Sequence, residues 1–216
     1  MAARVTSQKS RKKSSVAWLT AISLTAISAF AILIIVLHFL RPDLDPIHRP
    51  TSEYAVGEFS YLMTTAFFCM SIATFALVVS LNKTIGRKAK SLIGLIFLTV
   101  WAVAVLVALS FPIDPEGAPT TTAGRIHQTN GPIAFLSLTI GVFLVSIRFK
   151  HDENMRSLYH TALILSLIML LLFISVAVSL SIGLGLEGIF QRIYLIVVIV
   201  WFILVLIRIR KNNIKN

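Results

Sequence analysis

Six apolar runs, at 16–37, 59–81, 91–111, 132–147, 158–182 and 190–207, leave this chain few ways to fold. A helix needs about 20 apolar residues to cross the hydrocarbon core of a bilayer. Inside that core no water satisfies backbone N–H and C=O groups, so a spanning segment bonds to itself as a helix. The run at 132–147 is short and is expected to begin earlier, near Ala123. The reading is all-α: an integral membrane bundle of six transmembrane helices. Charge agrees, since only 13% of the 216 residues are charged, whereas a soluble domain carries about a quarter.

The first run invites confusion with a cleaved leader, because Ala29-Phe30-Ala31 resembles a cleavage site. The apolar stretch continues well beyond the length of a leader's core, so it is expected to stay as a helix. Ala17, Ala21, Thr25 and Ser28 or Ala29 recur along it at helical spacing, a small-residue stripe suited to close packing. The domain reading is a basic disordered tail at 1–15, one membrane domain at 16–208 and a second basic tail at 209–216. Cys69 sits inside an apolar run and reads as a packing residue.

Charge placement gives a topology. The net charge is +11, yet 16 of the 20 Lys and Arg fall in the first tail, in 82–90, in 148–157 and beyond 207. The positive-inside bias makes those segments cytoplasmic and both termini with them. A cell membrane, the inner membrane of a bacterium, is the expected location. No basic stripe interleaves with aromatics, which excludes a nucleic-acid partner. The carboxylates run the other way: Asp43, Asp45, Glu53, Glu58, Asp114, Glu116 and Glu187 fall on the expected outer side, and only Asp152 and Glu153 inside. Carboxylates contribute little to orientation, so their placement points to a use on the outer face.

Two polar stretches supply the candidates. The first, residues 38–61, is HFLRPDLDPIHRPTSEYAVGEFSY. Its prolines predict an extended segment in which Asp43 and Asp45 share a face, either as a cation or acid–base pair, or paired to Arg41 and Arg49, or turned to water. Pro50-Thr51-Ser52 reads as the start of the second helix, with a hydroxyl cap and Glu53 in its first turn. Glu53 would then share a face with Gly57 and Ser60 or Tyr61. The second stretch, 111–130, ends the third helix at Phe111-Pro112-Ile113-Asp114-Pro115 and enters the fourth through Gly124-Arg125-Ile126-His127. On that helix His127, Asn130 or Gly131, and Ala134 line one face, and Pro132 releases the carbonyl of Gln128.

His38, Asp45, Ser52, Glu53, Asp114 and His127 are the candidate catalytic residues. A divalent metal would be held by His38, Asp114 and His127, since two imidazoles and a carboxylate form a transition-metal set; no HExxH motif accompanies them. Arg192 could reach a phosphate or pair locally with Glu187. Trp18, Trp101 and Trp201 read as anchoring or packing aromatics.

Taken together, His38, RPDLDP, RPTSEYAVG, FPID and GRIH resemble a prokaryotic membrane family catalogued as domain of unknown function 998 (DUF 998), over residues 16–208. The resemblance implies an integral membrane protein of about six helices and supplies no reaction. Within that pattern His38, Asp45, Ser52, Glu53, Tyr54, Gly57, Asp114 and His127 are the positions to examine. Two functions follow from the sequence. One is a membrane-embedded hydrolase or lipid-modifying enzyme working on a lipid headgroup at the outer leaflet. The other is a non-enzymatic lipid-binding module, carrier or assembly factor.

Overall fold

The computed structural model describes the backbone of residues 2–215 and the side chains of residues 13–213. Six helices account for most of it: α1 (Ala2–Leu40), α2 (Ser60–Thr84), α3 (Leu92–Ser110), α4 (Thr122–Arg148), α5 (Tyr159–Ile182) and α6 (Glu187–Lys215). All six are long and apolar enough to cross a membrane, and no strand occurs among the described residues. The expected early start of α4 is borne out at Thr122.

The ends of the chain are more helical than the sequence suggested. The backbone of α1 runs through the basic segment from Ala2, and α6 continues to Lys215. Residues 1–15 contain neither Gly nor Pro, so nothing local stops a helix already nucleated in the apolar run. The side chains of 1–12 lie outside the described residues.

Each helix packs on its neighbour in sequence, and α6 returns to α1 and α2. α6 also reaches α4 through side chains: Trp201 donates from Nε1 to Ser146 Oγ at 3.0 Å, and Tyr194 shares a bond of 3.0 Å with Thr139. Trp201, Phe202, Tyr194 and Phe149 are fully buried along this seam. In contrast, α5 packs mainly against α4 and α6 and keeps a broad apolar face outward, including Ile164, Leu171, Leu180 and Ile182. Such a face needs lipid rather than water around it.

The α1–α2, α3–α4 and α5–α6 connections lie at one end of the bundle, here the connector end. The two termini share the opposite, terminal end, where Asn213 Nδ2 donates to the Lys13 carbonyl. Asp152 is buried there and ties two loops together, its carboxylate accepting from the amides of Gly86, Asn154 and Met155.

Two expectations for the first polar stretch do not hold. Residues 42–49 form turns, not an extended segment, because Asp45 accepts from the Ile47 amide at 2.8 Å and its own carbonyl accepts from Arg49. Residues 51–55 form a separate 3₁₀ turn, Thr51–Ala55, not the start of α2. Val56 is extended, and Gly57 and Phe59 have φ of +78° and +59°. A left-handed residue interrupts a right-handed helix, so α2 begins only at Ser60 and Glu53 cannot share its face. Arg41 holds the break in place, donating to the carbonyls of Val56 and Glu58.

Candidate functional site

At the connector end the polar stretch folds down onto the start of α6, and Arg192 is the clasp. Only 8% exposed, its guanidinium donates from Nε to His38 Nε2 (2.8 Å) and from Nη1 to the carbonyls of Arg49 (2.6 Å) and Gly188 (3.1 Å). Its Nη2 donates to the Tyr54 hydroxyl at 3.1 Å, and its carbon lies 5.7 Å from the Tyr54 ring centre. Four of its five N–H donors are thereby used, with no carboxylate among the partners. The expected local pair with Glu187 is absent: that carboxylate instead accepts from Ser179 at 3.0 Å. Next to Arg192, Gln191 Oε1 accepts from both the amide and the hydroxyl of Thr51, and the Ile189 amide donates to the Ile47 carbonyl. Such an approach needs Gly188, because a Cβ there would sit 2.7 Å from the carbonyl oxygens of Ile47 and Arg49.

This clasp decides what His38 can do. Its Nδ1 lies 2.6 Å from the Ile34 carbonyl, which can only accept, so Nδ1 carries the proton. Its Nε2 then faces the Arg192 N–H as an acceptor. Both ring nitrogens are occupied by protein.

The carboxylates are engaged too. Arg41 holds Asp43 below the usual carboxylate range, while Asp43 in turn raises Arg41. Asp45 is lowered first by the Ile47 amide and then by His48, whose Nδ1 lies 2.7 Å away. Glu53 accepts from Arg49 Nε at 2.6 Å, and Arg49 also pairs with Glu116, which joins the two connectors. Asp114 accepts from the Thr121 hydroxyl (2.7 Å) and amide (2.9 Å), which lowers its pKa. Thr121 caps α4 by accepting from the Gly124 amide at 3.0 Å. A Cβ on Gly124 would overlap the Asp114 carboxylate, so glycine there is part of the same cap.

His127 differs. It is 8% exposed on the second turn of α4, and its Nδ1 donates to the Phe111 carbonyl at 2.8 Å. Its Nε2 makes no hydrogen bond to the described residues. His38, Asp114 and His127 thus serve three separate sets of neighbours, and no group of three His, Cys, Asp or Glu able to hold a metal occurs among the described residues.

His127 faces a cavity of about 160 Å³ between α1, α2, α3, α4 and α6. Thr51, Ser52 and Gln191 roof it at the clasp, and His127, Gln128 and Asn130 line its upper wall. Gly131 and Ala134 continue that wall, so the expected face of α4 is the one turned to the cavity. Phe30, Met63, Phe67, Met70 and Phe135 line it deeper, down to Trp101. No carboxylate borders it. Trp101 lies nine residues from the end of α3, about 14 Å at 1.5 Å per residue, so the cavity reaches to about half the depth of a bilayer core. A polar mouth over an aromatic, sulfur-bearing interior is the usual chemistry of a small-molecule site. The sequence had pointed to His127, Asn130 and Gly131; Trp101 and Gln191 were missed because only the packing of α3 and α6 turns them inward.

The fold and cavity define a multi-pass membrane protein with an intramembrane pocket opening beneath a clasped connector. Residues 16–208 match the family described as protein of unknown function, DUF998, and the chain belongs to it. No curated protein and no solved structure matches.

Proposed function

We propose that this is a lipid-binding module: the cavity takes an uncharged amphiphile whose polar end meets Ser52, His127, Gln128 and Gln191 and whose apolar body fills the space down to Trp101. The observation that carries the reading is the lining itself, neutral polar groups at the mouth and only apolar side chains and one indole below. A charged ligand would find no counter-ion there. The Lys and Arg bias supports an outward-facing connector end and cytoplasmic termini, so the ligand would enter from the outer leaflet of a cell membrane.

The enzymatic alternative, a hydrolase or lipid-modifying enzyme, rests on Ser52 and His127. Both border the cavity, and the Phe111 carbonyl orients the imidazole so that its free Nε2 could act as a base. His38, Asp45, Glu53 and Asp114 already have protein partners and would serve this reading only by holding the connectors in place. A divalent metal would have to draw His38, Asp114 and His127 away from those partners.

Gly131 allows a direct test. It lines the cavity, and a Cβ there meets no atom within 4 Å. Gly131→Leu should fill the cavity while leaving thermal stability equal or higher, since it also removes a helix-interior glycine. Mass spectrometry of protein incubated with a membrane lipid extract should show a retained amphiphile in the wild type and its loss in the variant. Equal retention would overturn the binding reading. Conversion of a lipid that stops in both Ser52→Ala and His127→Gln would favour the enzyme.

A further inference from the structure

One imidazole nitrogen in the cavity wall has no partner and still touches open space. His127 Nδ1 donates to the Phe111 carbonyl, while Nε2 bonds to nothing among the described residues. Among those residues, the partnerless side-chain atoms sealed off by protein are Trp101 Nε1 and Arg148 Nε. His127 Nε2 is not one of them: it lacks a bond but keeps accessible surface, on a residue that is 8% exposed and lines the cavity.

The role of that nitrogen is fixed. A carbonyl only accepts, so the proton of the neutral ring sits on Nδ1 and Nε2 offers a lone pair. A second proton would place a cation where no carboxylate borders the cavity. Gln191 has a fixed role too. Its Oε1 is taken by the Thr51 amide and hydroxyl, which leaves only N–H donors for anything else. The mouth thus holds one committed acceptor and one committed donor group.

Building on the binding reading, we infer that the ligand is a lipid alcohol, whose free hydroxyl donates to His127 Nε2 and whose body is hydrocarbon. The neutral lining rules out an ionised head, and the lone pair on Nε2 calls for a head that carries a proton. A hydroxyl is the smallest uncharged group that donates and also accepts from an amide N–H. Ethers, esters and ketones only accept, so they leave Nε2 without a partner. An amide carries a proton as well, but it brings a second polar atom to be desolvated. Below the mouth, Phe30, Met63, Phe67, Met70 and Phe135 present apolar surface, and the Trp101 N–H is enclosed by protein. The body of the ligand therefore meets no polar side-chain atom there, which suits a plain chain. A longer chain has a way out, since Asn130 borders both the cavity and a groove between α3 and α4 lined by Val107, Ile126 and Ile133.

The test uses full-length protein with ¹⁵N-labelled histidine in phosphatidylcholine nanodiscs, the His127 signals being assigned with His127→Phe. Decanol is compared with methyl nonyl ether, which has as many heavy atoms and no proton to donate. The expected result is a saturable upfield shift of the unprotonated His127 Nε2 signal with decanol only. Decanol should bind about three- to tenfold more tightly than the ether, the worth of one neutral hydrogen bond. That preference should disappear in His127→Phe, and binding of both should be lost in Gly131→Leu. If the two compounds bind alike and Nε2 does not move, the alcohol inference falls while the binding reading stands. A ligand-free spectrum with the proton on Nε2 would overturn the inference as well. If neither compound binds the inference falls, and if no lipid is retained either, the binding reading falls with it.

Discussion

Arg192 shows how a charge can sit inside a bundle without a counter-ion. Its neutral acceptors are His38, Tyr54 and the Arg49 carbonyl, spread along the first polar stretch, and the Gly188 carbonyl of its own helix, so one side chain ties that stretch to the start of α6. Hydrogen bonds from a charged donor contribute about 1.5–3 kcal/mol each in favourable cases. Arg192→Met should lower unfolding stability by about 2–4 kcal/mol, because it removes those bonds and leaves the Tyr54 hydroxyl and His38 Nε2 unsatisfied. Arg192→Lys should fall between, keeping the charge but losing the planar fork that reaches several acceptors at once. Denaturant titration in micelles measures both; an unaltered midpoint in Arg192→Met would remove the clasp from this account. The sequence showed a basic residue on the first turns of the last helix but not that it would meet His38, Arg49 and Tyr54, which lie 138 to 154 positions away.

At the scale of elements, the ends of the helices carry most of the specificity, because the spans themselves are uniformly apolar. α4 is the clearest case. Asp114 binds Thr121, Thr121 binds the Gly124 amide, and Gly124 leaves room for the carboxylate. The Asp114 pKa is lowered by these bonds, so its contribution is fully present above the ordinary aspartate range and is lost as pH falls through its depressed folded value. The Thr121 amide shift in NMR should therefore titrate below the ordinary aspartate pKa of about 3.9. The transition should vanish in Asp114→Asn. A midpoint at or above the ordinary value would mean that the cap does not stabilise the ionised carboxyl. The start of α2 teaches a related lesson. Pro-Thr-Ser-Glu is a sound helix-start signal, and it does begin a helical turn at Thr51. Gly57 and Phe59 then break that turn from α2, and a left-handed phenylalanine cannot be foreseen from composition.

For the whole molecule, the connectors form a lid of hydrogen bonds over one end of a mostly apolar bundle, with the cavity beneath it. The proposed orientation predicts which end faces outward. In a Cys69→Ser background, a single cysteine at Glu116 should react with a membrane-impermeant maleimide in intact cells. One at Glu153 should react only after the membrane is opened. The opposite pattern would reverse the orientation and place the cavity mouth in the cytoplasm.

Six spans were legible in the residues because hydrocarbon imposes a length and forbids charge, a constraint each segment meets alone. The shared face of His127, Asn130, Gly131 and Ala134 was legible for the same reason, since helical spacing is local. Tertiary structure alone decided that His38 serves Arg192 and that Trp101 borders a shared cavity. Those outcomes depend on which helices meet and at what depth, and apolar helices carry little pattern that says which neighbour each will choose.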